Sequence, residues 1–231
     1  MGGRTDGLRR PEIWVNCAAS ADGRIAFAGG ARARLSSPED LRRVQELRAR
    51  SDGIVVGVGT VEKDDPTLRV HWELLDRPPG AEPTRIVLDP SGRTPAGARV
   101  LDGRSPTIVA VSERCRREFP PPTRTVVAGS DRIELGRLYD RLYELGFRRL
   151  LVEGGARVLA SVLRDGRYDR LTVYYAPWLI GDGTAPPLVA GPSATSFEGT
   201  TALVLDGVER LGSGYVATYR ARPGSAVPAG T

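Results

Sequence analysis

Residues 148–163 read RRLLVEGGARVLASVL. Leu150, Leu151 and Val152 form an apolar run without polar alternation, the pattern of a strand buried on both faces. Glu153, Gly154 and Gly155 then turn the chain, and Val158, Leu159, Val162 and Leu163 recur at helical spacing. A strand, a two-glycine turn and a helix N-terminus together make a seat for a phosphate. Backbone N–H groups point outward there, the helix dipole favours an anion, and glycine has no Cβ to block the approach. Glu153 is out of place in such a seat, because a carboxylate at its mouth repels an anion. It suits a hydroxyl-rich or amino-bearing ligand better. The same turn also serves as a plain tight connection, so its neighbours must decide.

Working outward, the runs EIWVNCAA (12–19), IVVGVG (54–59), RIVLD (85–89), TIVAV (107–111) and TRTVVA (123–128) read as further strands. Ser36-Ser37-Pro38-Glu39-Asp40 starts a helix, with serine caps, proline near its first turn and acids beside the dipole. Leu41, Val44 and Leu47 are its expected inner face, up to Arg50. Thr60 opens a short helical turn that Pro66 stops. Glu113 to Phe119 reads as a short helix before three prolines. Leu135, Leu138, Leu142 and Leu145 mark an amphipathic helix closed by Gly146. Tyr168 to Trp178 is a strand, 179–192 a Gly/Pro loop, and 202–205 with 215–220 a final antiparallel pair. The alternation predicts an α/β fold: one mostly parallel central sheet, helices on both faces, and antiparallel edge strands from the C-terminal end. Residues 11–222 are the expected single domain, between a polar leader (1–10) and a Pro/Gly-rich disordered tail (223–231).

Composition narrows the function. With 231 residues, 40% apolar and 26% charged, the chain is ordinary globular material large enough for a sizeable core. No apolar run reaches the roughly 18 residues of a membrane span, and the N-terminus lacks a signal-peptide core, so a cytoplasmic protein is expected. Two distant cysteines, Cys17 and Cys115, and the single His71 offer no metal cluster. A catalytic Cys–His pair is less economical than a buried structural cysteine. The net charge of +5 is spread among acids, as in RRVQELRAR, not gathered in a stripe with aromatics. That argues against nucleic acid and for a small phosphorylated ligand.

Four segments fall at the C-terminal ends of expected strands, where open α/β sheets bind ligands: Ala18 to Gly23, Gly57 to Asp65, Leu88 to Ser91, and Glu153 to Arg157. Gly57 and Gly59 allow close approach, and Thr60 can donate to a phosphate or ribose oxygen. Asp64 and Asp65 either bind ligand or cap the turn before Pro66. His71 is an acid/base or phosphate partner, or only a surface side chain. Ser20 and Asp22 read equally well as turn formers. No nucleophile elbow, Walker lysine or GxGxxG is present.

The set NCAASADGRIA (16–26), LSSPEDLRRVQELRARSDGIVVGVGTVEKDDPTLRVH (35–71), RIVLDPSGRTP (85–95), LLVEGG (150–155) and YAPWLIGDGTAPPLV (175–189) resembles the riboflavin-biosynthesis reductases. These comprise the C-terminal reductase domain of bifunctional RibD and the stand-alone archaeal and fungal pyrimidinone 5′-phosphate reductases. The resemblance spans roughly residues 11 to 222. It implies a dihydrofolate-reductase-like fold, NADPH as hydride donor, a phosphoribosylamino-pyrimidine substrate reduced at C1′ of its opened sugar, and a homodimer. It places Ala18, Thr60, Asp64, Leu88, Asp89, Pro90, Ser91, Gly154, Gly155, Ala156 and Arg157 on the cofactor. It places Ser36, Arg48, Leu68, His71 and Glu153 on the substrate, with Arg48 and His71 for the 5′-phosphate. Ser36 reads equally well as an N-cap. Glu153 and Asp64 are the carboxylates expected at the chemistry; Asp64, His71 or a bound water is the expected proton donor. The deaminase signature HxE…PCxxC is absent, which favours reduction before deamination, on the 2,5-diamino compound.

Overall fold

The computed structural model describes residues 10–192 and 194–222. Nine strands form one sheet: β1 (Glu12–Ser20), β2 (Gly53–Gly57), β3 (Thr84–Leu88), β4 (Thr107–Val111), β5 (Arg124–Val127), β6 (Arg149–Gly154), β7 (Arg170–Ala176), β8 (Leu203–Leu211) and β9 (Gly214–Ala221). Their order is β5-β4-β3-β2-β6-β1-β7-β9-β8. The pairs from β5 to β7 are parallel, whereas β9 runs antiparallel to β7 and to β8. The expected α/β class, mostly parallel sheet and antiparallel C-terminal strands are all present. The leader and tail lie outside the described residues except for Arg10, which makes a bidentate pair with Asp169.

The helices are α1 (Pro38–Ala49), α2 (Val58–Asp64), α3 (Leu135–Glu144) and α4 (Ala156–Asp165). From β2 to β5 the chain steps one way along the sheet; β6 returns to sit between β2 and β1, and β7 continues the other way. Right-handed crossovers then put helices on opposite faces. One face packs Ile13, Val15, Val55, Ile86, Leu150, Val152 and Val173 against Leu138 and Leu142 of α3 and Leu159 and Val162 of α4. The other packs Ile54, Val56 and Val87 against Val58 and Val61 of α2. Burying both faces explains the unbroken apolar runs at the centre: every residue of β2 and β4 is buried.

Two local expectations fail. Leu41, Val44 and Leu47 do not form the inner face of α1. Leu41 is 47% exposed, and the helix buries Asp40 and Gln45 instead. The sheet opposite offers polar partners: Arg43 of α1 donates to Asn16 of β1 and pairs with Asp40, and Thr172 of β7 donates to the same Asn16 oxygen. Buried polar groups must be paired, and that requirement turns the helix. Residues 113–119 form a turn and an extended segment, not a helix. Phe119 is drawn into a separate cluster with Val109 and Val111, and a single apolar side chain gives no helical stripe to bury. IVVGVG is also shorter as a strand than expected, because the helical conformation begins at Val58.

Candidate active site

The four anticipated segments do meet. β1, β2, β3 and β6 are parallel and end at Ser20, Gly57, Leu88 and Gly154, so the turns that follow lie along one edge of the sheet. That edge contains the place where the chain reverses its direction across the sheet, the usual ligand crevice of open α/β folds.

Local backbone chemistry shapes the glycine turn. Gly154 has φ +109°, a conformation that side-chain-bearing residues avoid, and the Gly154–Gly155 peptide is cis. Gly155 donates its N–H to Thr60 Oγ1 at 3.0 Å. A Cβ on Gly155 would stand 3.1 Å from that oxygen, so the α2 and α4 turns touch closely. Gly57 likewise packs on Val158, where a Cβ would lie 2.8 Å from Cγ2. As the first residues of α4, Ala156 and Arg157 have N–H groups without intrahelical acceptors. This is a cradle suited to a phosphate.

The other residues expected on the cofactor side are placed as follows. Ala18 is half-buried beside Leu35 and Tyr174. Asp64 is exposed at the end of α2, whereas Asp65 is the capping carboxylate: it takes φ +37° and accepts the Arg99 N–H at 2.7 Å. Leu88 is buried, and Asp89 is turned inward, with Oδ2 accepting from the Thr94 N–H and hydroxyl, both at 2.7 Å. Asp89 can therefore meet a ligand only through its backbone. Pro90 is half-buried and Ser91 exposed. Arg157 is exposed on the first turn of α4, and Arg93 reaches from the loop after β3 to Glu62 of α2.

Side-chain alternation sends Glu153 to the other face. Leu150 and Val152 point at α3 and α4, so Glu153 points toward α1. There it makes a bidentate pair with Arg48, both contacts at 2.7 Å, across 105 residues of sequence. The pair is largely buried, at 14% and 12% side-chain exposure. A third Arg48 donor goes to the Arg69 carbonyl at 2.8 Å. Burial works against the guanidinium's charge, yet the Glu153 carboxylate, with Glu82 behind it, holds its pKa above the ordinary value. Three of five N–H donors are used, which leaves two for a ligand. Leu68 is buried at φ +49°, a strained conformation for a bulky residue and one that clusters at functional sites. His71 is 53% exposed, with Nδ1 against Glu73 and its backbone N–H on buried Gln45.

Several alternatives are now decided. Ser37, not Ser36, caps α1, its hydroxyl accepting the Asp40 N–H. Ser20 and Asp22 are turn residues: Ser20 donates to Asp22, which accepts the Ile180 and Gly181 N–H groups. Cys17 has no histidine partner, and burial pushes its thiol up to about 12. Among the described residues no group of acidic, histidine or cysteine side chains could hold a metal, and no helix is long and apolar enough to cross a membrane.

Residues 11–217 match the model of the RibD C-terminal domain. The chain belongs to this family, the riboflavin-biosynthesis reductases. It is 39% identical over 214 residues to the 2,5-diamino-6-ribosylamino-4(3H)-pyrimidinone 5′-phosphate reductase of Methanothermobacter thermautotrophicus, covering 91% of this chain and 98% of that one. The enzyme of the same name from Archaeoglobus fulgidus is 39% identical over 220 residues, with the same coverage. A deaminase/reductase structure from Thermotoga maritima superposes with TM-score 0.75 at 26% identity, over 93% of this chain and 57% of the other. RibD from Acinetobacter baumannii, at 23% identity and TM-score 0.80, shows the same fold. The sheet is thus the dihydrofolate-reductase-like sheet of RibD-type reductases. Such reductases draw their hydride from a nicotinamide cofactor.

Sequence reasoning missed Gln45, Arg69 and Glu82, which hold the segment carrying Leu68 and His71. Gln45 lies on a helix whose polar face was taken for the outer one, and Glu82 lies in the proline-rich stretch LDRPPGAEP (75–83). A carboxylate two residues before a strand carries no motif.

Proposed function

We propose that the protein is an NADPH-dependent reductase of 2,5-diamino-6-ribosylamino-4(3H)-pyrimidinone 5′-phosphate, giving the ribitylamino product, and that it works as a homodimer. One observation carries this reading: a buried Arg48–Glu153 pair stands one residue from a glycine cradle formed by Gly154, Gly155 and Thr60. The polar pair suits an amino- and hydroxyl-bearing substrate, and the cradle suits cofactor phosphates. Their adjacency would bring the two ligands together.

NADPH, when bound, supplies the hydride that reduces the imine carbon C1′ of the opened sugar. The chain's own part is placement. Ala156 and Arg157 would hold phosphate through backbone N–H groups, while Gly155 gives its N–H to Thr60, which fixes the turn. Glu153 accepts from the pyrimidine or sugar, and Arg48 keeps it oriented. Asp64, free of the capping duty that Asp65 performs, is the carboxylate we place at the proton-handling edge. Such positioning can supply much of a rate enhancement. The exposed guanidinium of Arg157, on the first turn of α4, puts positive charge next to the glycine turn, which favours the extra phosphate of NADPH over NADH. The two archaeal relatives named above favour the diamino substrate.

The dimer is supported by the sheet's outer strands. By register Leu203, Leu205 and Val208 of β8 and Tyr215 of β9 lie on one face, and they are 40 to 60% exposed. An apolar sheet face of that kind marks an interface.

The test is NADPH oxidation at 340 nm with the diamino and the deaminated 5-amino-uracil substrates in parallel, and with NADH in place of NADPH. Turnover preferring NADPH and the diamino compound is expected. Absence of oxidation with either pyrimidine would sink the reductase reading, and light scattering that gives one chain mass would sink the dimer.

A further inference from the structure

The proline-rich loop 75–83 has no part in the site described so far, yet its Glu82 reaches into the supports of that site. Glu82 Oε2 accepts the Val70 N–H at 3.0 Å, and Oε1 accepts the Trp72 indole N–H at 2.8 Å. Oε1 also stands 3.8 Å from a guanidinium nitrogen of Arg69. The Glu82 side chain is only 17% exposed. Arg69 in turn offers its carbonyl to Arg48, and Arg48 grips Glu153 with its other donors. On the opposite side Gln45, 5% exposed, accepts the His71 N–H at 3.0 Å. Residues 69–72 form no strand, and only Trp72 belongs to a helical turn. These side-chain acceptors therefore stand in for secondary structure, as buried backbone donors require.

The charges alternate along this path: Glu82, Arg69, Arg48, Glu153. Glu82 also helps keep the Arg48 guanidinium charged. Moving the 69–72 segment would move the Arg69 carbonyl, and with it the third anchor that fixes the plane of Arg48. A fork-to-fork pair with a carboxylate depends on that plane.

We infer that Glu82 is a positioning residue for the substrate side: it holds residues 69–72 in the one arrangement that aims His71 outward and locks Arg48 on Glu153. It touches neither ligand, and it acts on pyrimidine binding while leaving the cofactor cradle alone. The inference rests on the reductase reading for its assay.

Glu82→Gln keeps the size but can accept only one of the two N–H donors. The expected result is a rise of about tenfold in KM for the pyrimidine, in the range of one lost buried hydrogen bond, with kcat changed less and the Kd for NADPH within about twofold of the parent. Trp72→Phe removes one donor only and should give a smaller rise in the same direction; it decides the matter alone if the Glu82→Gln protein does not fold. Glu82→Asp should recover part of the loss. A parental KM in the folded variants would overturn the inference, as would equal loss of pyrimidine and NADPH affinity, the mark of a general structural role. If the parent protein turns over neither pyrimidine, the reductase reading fails instead, which keeps the two failures distinct.

Discussion

The two halves of the proposed site, one for cofactor and one for substrate, are built differently. The cofactor side is backbone: Gly154 at φ +109°, Gly155 against Thr60, Gly57 against Val158, and the first N–H groups of α4. The substrate side is side chains: Arg48 on Glu153, Arg69 and Glu82 behind them, Gln45 under His71. A backbone seat is written locally and tolerates no Cβ. A side-chain seat is written across the sequence and fails when one charge loses its partner. Mutation should separate them.

The largest effect is expected at the buried pair. Arg48→Ala leaves Glu153 largely buried and unpaired, a loss of about 3–5 kcal/mol of stability, read by denaturant unfolding, together with loss of turnover. If the variant unfolds like the parent, the pair is not the substrate side's keystone. Next comes Gly154→Ala, which forces a side chain into a glycine-only conformation at about 1–3 kcal/mol. Here NADPH affinity should fall while binding of a pyrimidine analogue holds, and the reverse order, read by titration calorimetry, would blur the division drawn above. Thr60→Val removes the acceptor for the Gly155 N–H, at about 1 kcal/mol, again on the NADPH side alone.

The smallest effect lies outside both halves. Asp22 is held down to about 2 from its ordinary 3.8 by the Ser20 hydroxyl and the Gly181 and Ile180 N–H groups. A depressed carboxyl supports the fold above its unfolded pKa and loses that support as pH falls through its folded one. The tie between the first turn and residues 180–181 should thus be intact above about pH 4 and loosen toward pH 2. Hydrogen exchange at Gly181 measured across that range should show it, and Asp22→Asn should remove the dependence. Exchange that ignores pH in the parent would contradict the role.

The same division explains what could be read from the sequence. The central strands were legible because a sheet covered on both faces needs unbroken apolar runs, and the turn because Gly154 takes a φ that favours glycine. Glu153 stood out as a misplaced acid within six residues of text. Its pairing did not: Arg48 entered only through the family resemblance, as a phosphate ligand, since it lies 105 residues away and looks like every other arginine of RRVQELRAR. The face of α1 was misread for a related reason. Periodicity assumes that helices bury apolar residues, and this one buries Asp40 and Gln45 because Asn16 and Thr172 meet it from the sheet. The Glu113–Phe119 segment shows the converse, a helical-looking stretch whose single buried aromatic gave helix formation nothing to gain. Polar cores and long-range pairs are set by tertiary partners, which no local pattern records.

Glu153→Gln tests the division most directly, because Glu153 sits at the junction and the substitution preserves its shape. NADPH binding, measured by quenching of protein fluorescence, and single-turnover oxidation with the diamino pyrimidine should be followed on the same protein. The expected result is NADPH affinity close to the parent's with turnover lost by two orders of magnitude or so, the scale of a misplaced reacting group. Equal loss of NADPH affinity and turnover would place Glu153 on the cofactor side and contradict the division of the site.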